Sequence, residues 1–144
     1  MIKKELLGRF IKLSEIKEND FEQIIKWRNN PDYNRFINQN FILTIDLQKK
    51  WFNSYSKDDT QITYGIHIIK DNTLIGTIGA TDIDFKKKEF IPGRLLIDED
   101  FRLGPYLIDT FVTLYDYFFE ELFFVKGNFW EQNNMRRITF FFSS

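Results

Sequence analysis

One histidine and no cysteine set the first limits on the chemistry open to this chain. His67 is the only side chain whose ordinary pKa lies near neutrality. It stands in an alternating run, however, with Ile62, Tyr64, Ile66 and Ile68 on one side and Thr63, Gly65 and His67 on the other, and no metal ligand or nucleophile is spaced with it. A strand histidine facing solvent or satisfied by a core hydrogen bond is the expectation. Without cysteine, disulfides, thiolate zinc sites and thiolate nucleophiles are excluded. The carboxylates Asp82, Asp84, Asp98, Glu99 and Asp100 lack the glycine and closing glutamate of a calcium loop, so they read as solvated turn residues and no metal site is expected. Arg136 and Arg137 can meet a phosphate or simply face water. Phe111, Tyr115, Phe118 and Phe119 recur at helical spacing, which makes them core residues and not a stacking platform for bases.

The chain of 144 residues fits one domain, 1–144. Its 43% hydrophobic and 18% aromatic content, with 17 Phe, supplies a packed core and argues against disorder. A net charge of −1 with dispersed Lys and Arg gives no general attraction for nucleic acid or an anionic membrane, and neither is expected as a partner. The N-terminus is charged too soon for a signal peptide, and no stretch approaches the roughly 18 apolar residues of a membrane span. With cysteine absent, the reducing cytoplasm is the expected compartment.

The elements that must position any site follow from periodicity. A strand is expected over 8–13, then a helix capped by Asn19 or Asp20 with Phe21, Ile24, Ile25 and Trp27 at helical spacing, stopped by Asn29-Asn30-Pro31. Thr44 can cap a second helix whose inner face would carry Leu47, Trp51 and Tyr55. Strands follow over 61–68 and 74–81, joined by an Asp71-Asn72 turn, and over 94–97. The longest helix is expected over 105–122, striped by Leu107, Phe111, Leu114, Phe118 and Leu122 and widened by Ile108, Tyr115 and Phe119. Residues 123–130 read as a fifth strand and 133–142 as a final helix.

This order, with Trp27-Arg28-Asn29, Gln48-Lys49-Lys50-Trp51-Phe52, Leu74-Ile75-Gly76-Thr77-Ile78-Gly79, Gly93-Arg94-Leu95-Leu96-Ile97-Asp98, Asn134 and Ile138, resembles the Gcn5-related N-acetyltransferase superfamily (GNAT). It is closest to the branch of ribosomal-protein N-terminal and amino-sugar-nucleotide N-acetyltransferases. The resemblance implies an α+β fold, a mixed and mostly antiparallel sheet flanked by helices. It also implies acetyl-CoA as acetyl donor in a V between the fourth and fifth strands, and as acceptor a primary amine on an amino-sugar nucleotide or a protein N-terminus. By the same resemblance Leu95, Leu96, Ile97 and Asp98 would meet the pantetheine arm. Arg102, Leu103, Gly104, Pro105 and Tyr106 would meet the pyrophosphate at the start of the long helix, where free amides and the helix dipole favour phosphate. Asn134 would also bind the cofactor, Trp27, Arg28 and Asn29 would line the acceptor site, and Glu89 would act as base.

Three departures accompany the resemblance. Pro105 and Leu107 stand where the phosphate loop has small residues, and Pro105 lacks an N–H. Phe141 falls where many members carry a tyrosine that protonates the leaving thiolate. The two strands that usually follow the last helix are expected to be lacking, which would leave the fifth strand with a bare edge and make a homo-oligomer possible. A second reading therefore stands beside the enzyme: a non-catalytic GNAT-like module that has lost acetyl-CoA binding and serves a partner-binding or oligomeric role.

Overall fold

The alternating run around Tyr64 forms the middle of a seven-stranded sheet whose spatial order is the order of the chain, β1 to β7. The structure is a computed structural model that describes residues 2–34, 41–131 and 136–141. The strands are β1 (Glu5–Leu7), β2 (Ile11–Glu15), β3 (Ile62–Ile68), β4 (Leu74–Asp84), β5 (Glu89–Ile97), β6 (Lys126–Glu131) and β7 (Arg136–Phe141). All neighbours pair antiparallel except β5 and β6, which are parallel and joined by the long helix, as a parallel pair requires. The α+β class and the flanking helices agree with expectation.

The α-helices among the described residues are α1 (Phe21–Asn29), α2 (Pro31–Asn34), α3 (Ile45–Tyr55) and α4 (Tyr106–Asp116). On one face α4 and the π turn that continues it, Tyr117–Glu121, bury Leu114, Tyr117, Phe118 and Phe119 against Tyr64, Ile66, Ile78 and Phe90. On the other face Phe21, Ile24 and Trp27 of α1 pack with Tyr33 and Leu96, flanked by Trp51 and Phe52 of α3. Thr44 caps α3 as expected, accepting from the Leu47 amide at 3.2 Å.

Several expectations are corrected. The first strand is not continuous over 8–13: a turn at Gly8 divides it into the β1–β2 hairpin. The carboxylate of Asp109 on α4 plugs that turn, accepting from the Arg9, Phe10 and Ile11 amides at 3.1, 2.7 and 3.0 Å. A Cβ on Gly8 would lie 2.5 Å from Thr113 Oγ1, so only glycine lets α4 approach this closely. Leu47 and Ile108 are exposed at 43% and 69%, and the buried partner of Tyr55 on α3 is Gln48. The final helix is replaced by β7, which pairs with β6 over all six of its residues. Alternating Arg137, Thr139 and Phe141 with Ile138 and Phe140 satisfies a strand as well as a helix, and β6 offers an edge to receive it. The fifth strand of the sequence reading, β6, therefore has its outer edge covered by β7, which becomes the last strand of the sheet.

Phe118 is fully buried and stacks on Phe90 with ring centroids 4.1 Å apart. Phe118→Ala is expected to cost about 3–5 kcal/mol in chemical denaturation, and Ile108→Ala less than about 0.5 kcal/mol. Asp109→Ala strands three amides that bond a charged group, and is expected to cost about 1.5–3 kcal/mol by the same measurement.

Candidate cofactor and acceptor site

β5 touches β6 only at Glu89 opposite Lys126 and Phe90 opposite Gly127, and from Ile91 onward the two parallel strands share no ladder. The divergence coincides with a bulge. Thr77 faces Leu96 and Gly79 faces Gly93, so Ile78 of β4 stands opposite two residues, Arg94 and Leu95. Arg94 takes a left-handed backbone, φ 55°, and its carbonyl accepts from Thr77 Oγ1 at 2.8 Å. A bulge of this kind bends and twists its strand. Beyond it the Asp98 amide donates to the Ile75 carbonyl, so by antiparallel alternation the N–H and C=O of Ile97 point to the open edge facing β6. Leu95 and Ile97 pack toward the α4 core, while Leu96 belongs to the α1 side.

At the top of β5 the chain turns through Glu99–Phe101 into Arg102-Leu103-Gly104-Pro105-Tyr106. Gly104 adopts φ 105°, where a side chain would be strained. Pro105 is the N-cap of α4. It withholds one amide and leaves the first-turn amides of α4, from Tyr106 onward, aimed out of the helix start. Leu103 is 90% exposed. Arg102 folds back, its Nε donating to the Ile97 carbonyl at 3.1 Å and its guanidinium lying 4.9 Å from the Tyr33 ring centre. The loop, the open strand edge and the helix start thus form one continuous rim. Asn134 lies outside the described residues, as do the side chains of β7, Phe141 included.

The other expected site residues divide. Trp27 is buried and its Nε1 donates to Asp98 Oδ2 at 3.2 Å, tying the end of α1 to the end of β5. Asn29 clamps the backbone of Leu43, donating to its carbonyl at 2.8 Å and accepting from its amide at 2.7 Å. Arg28, between them, is half-buried. Glu89 stands at the closed end of the V, 3.7 Å from Lys126 Nζ. Asp84 and Asp98 accept from turn amides at 2.9 Å, the role their spacing suggested. His67 sits at the hairpin end with Nδ1 3.4 Å from the Asn72 carbonyl.

Arg94 is the site residue that motif matching passed over. Its side chain crosses Gly79 to reach β3, donating to Thr63 Oγ1 and Gln61 Oε1 at 2.6 Å each under the Trp51 ring. Next to it the Tyr55 hydroxyl donates to Glu15 at 2.8 Å and accepts from the Thr63 amide at 3.0 Å. The signal available was an arginine inside a run that otherwise reads as strand, a residue type that must find polar partners when buried.

Residues 11–143 match the model of the acetyltransferase (GNAT) domain, and the chain belongs to this family. Solved structures agree in fold. The spermidine N-acetyltransferase of Vibrio cholerae, in complex with CoA and spermine, superposes with a TM-score of 0.75 at 15% identity over 83% of this chain and 69% of that one. Apo FdhC, a nucleotide-linked sugar GNAT, gives a TM-score of 0.73 at 22% identity over 89% and 72%. A GNAT-family acetyltransferase from Bacillus anthracis gives 0.72 at 14% identity over 87% and 72%. No curated protein matches the sequence. Among the described residues no helix is long and apolar enough to cross a membrane.

Burial pushes the Tyr55 phenol well above its ordinary range, the Thr63 amide opposes this and the Glu15 carboxylate adds to it; burial likewise raises Tyr64. Their folded pKa values exceed the unfolded ones, so the stability they contribute is complete below pH about 10 and is lost as pH rises beyond it. Denaturation midpoints measured across that range should fall, and Tyr55→Phe should flatten the alkaline limb. An equally steep limb in the variant contradicts the assignment to Tyr55.

Proposed function

We propose that this chain binds acetyl-CoA in the V between β5 and β6 and transfers the acetyl group to a primary amine offered from the α1 and α3 side. The observation that carries this is the parting of β5 from β6 after Phe90 in a chain of the acetyltransferase family, which leaves an open strand edge leading to a helix start. An extended amide chain can add to such an edge as a further strand does. The outward groups of Leu95 and Ile97 are its partners, with Leu96 and Asp98 on the same stretch. Arg102, Leu103, Gly104, Pro105 and Tyr106 receive the pyrophosphate, with the Tyr106 and Leu107 amides as donors.

In the reaction the neutral amine attacks the thioester carbon, an N–C bond forms, the C–S bond breaks, one proton leaves nitrogen and one reaches sulfur. Holding the amine beside the thioester is the main contribution of the chain. Glu89 lies at the closed end of the V beside Lys126, so in this reading it secures β6 to β5, and the amine proton passes to water. Arg28 lines the acceptor side, while Trp27 and Asn29 fix the α1 end that carries it. A small amine and a protein N-terminus both satisfy this chemistry.

Calorimetric titration with acetyl-CoA is expected to show saturable binding. Pro105→Ala restores one amide at the phosphate loop, and a hydrogen bond to a charged group corresponds to roughly a tenfold to hundredfold gain in affinity. No heat of binding from either protein overturns the reading. Tight binding with no thiol release from acetyl-CoA across a panel of amines would leave a binding module in place of the enzyme.

A further inference from the structure

β1 stands at one end of the sheet, so one side of it pairs with β2 and the other side is open. The Gly8 amide donates to the Ile11 carbonyl and the Glu15 amide to the Lys4 carbonyl, which by antiparallel alternation leaves the N–H and C=O of Glu5 and Leu7 pointing to the open side. The backbone of Lys3 is answered by two hydroxyls. Its amide donates to Tyr117 Oη at 2.7 Å and its carbonyl accepts from Tyr64 Oη at 2.6 Å. Among the described residues nothing answers the outward groups of Glu5 and Leu7.

Beside this edge lies a groove of about 610 Å³, walled by β1 and by α4 with its π turn. The helix runs antiparallel to the strand, because Gly8 lies against Asp109 and Thr113 toward the helix start and Lys3 against Tyr117 and Glu121 at its end. Val112, Asp116 and Glu120 therefore form one exposed row along the groove, at a spacing of about 6 Å. Alternate residues of an extended chain repeat every roughly 6.6 Å, close enough to follow that row. Five acidic side chains line the groove against two basic ones. Asp109 is occupied by the turn amides and Glu121 by Lys3 Nζ at 3.3 Å, whereas among the described residues no ion pair or side-chain hydrogen bond holds Glu5, Asp116 or Glu120.

We propose that this groove docks an extended basic segment of a partner protein, which adds to the open edge of β1 as a further strand and sets an apolar side chain on Val112 and two Lys or Arg side chains, at alternate positions, on Asp116 and Glu120. Backbone bonds to Glu5 and Leu7 give the attachment, and the pattern apolar-x-basic-x-basic gives the choice of partner. A second copy of this chain does not suit the edge, because edge-to-edge pairing brings its own row of acids against these. Three strands separate β1 from β5, so the docking does not rest on the reaction proposed for the V.

The probe is the end-blocked heptapeptide Thr-Val-Thr-Lys-Thr-Lys-Thr, titrated by NMR without acetyl-CoA into the wild type and into a double variant, Asp116→Lys with Glu120→Lys, both at exposed positions. Saturable binding is expected with slowed amide exchange at Glu5 and Leu7, and the double variant is expected to bind about tenfold more weakly. The same peptide with Glu in place of both Lys reverses that order. Spermine carries the charge without a backbone and is expected to leave exchange at Glu5 and Leu7 unchanged. If the double variant fails to fold, the two peptides compared on the wild type decide the matter, the Lys peptide binding about tenfold more tightly. No uptake of the Lys peptide at about millimolar concentration, equal binding of both peptides by the wild type, or binding that leaves Glu5 and Leu7 unprotected overturns the proposal. Protection of those two amides by spermine, or by self-association without peptide, overturns it as well.

Discussion

At Arg94 the backbone of β5 enters the left-handed region, φ 55°, and hands its carbonyl to the hydroxyl of Thr77 instead of to a ladder amide. A side chain in that region is strained by about 1–3 kcal/mol, so the surroundings must hold it. They do so twice, through Thr77 at the backbone and through Thr63, Gln61 and Trp51 at the guanidinium. The bulge inserts one residue, bends β5 and coincides with the end of its pairing to β6. Were the ladder continuous, the edge proposed to take the cofactor would be filled by β6.

Opening a sheet between two parallel strands costs pairing energy, and the α4 side supplies the rigidity that keeps the halves together. Phe90, the last residue of β5 paired with β6, is fully buried against Phe118, Phe119 and Phe124. Asp109 locks the start of α4 onto the β1–β2 turn, far along the sheet from β6, so the helix that begins at the phosphate loop is fixed independently of whatever fills the V. On the opposite face Trp27 and Asp98 join α1 to the end of β5. The cofactor side and the acceptor side therefore meet at one strand.

Much of this was legible in the sequence because periodicity and caps are local. The alternation through Tyr64, the Asp71-Asn72 turn, the Thr44 cap and the stripe of α4 all describe residues within a few positions of one another. Features set by distant partners were not legible. The split of the first strand depends on Asp109, a hundred residues away from Arg9. The terminal strand depends on an edge offered by β6, which outweighs the helical reading of 133–142. The family motif led to the Gly93-Arg94 run, but only the fold shows that the Arg94 side chain turns across β4, away from the V, and faces Trp51. Asn29 matched an acceptor motif, and the structure employs both ends of its amide on Leu43.

The central claim is that the open edge of β5 is a cofactor edge. Residue-resolved amide hydrogen exchange by NMR, with and without acetyl-CoA, tests it most directly, because an unpaired outward amide exchanges fast until a ligand accepts its hydrogen bond. The account predicts that acetyl-CoA slows exchange at Leu95, Ile97, Tyr106 and Leu107 and leaves Tyr64 and Ile66 in the sheet centre unchanged. Exchange at Leu95 and Ile97 that stays the same under saturating acetyl-CoA contradicts it.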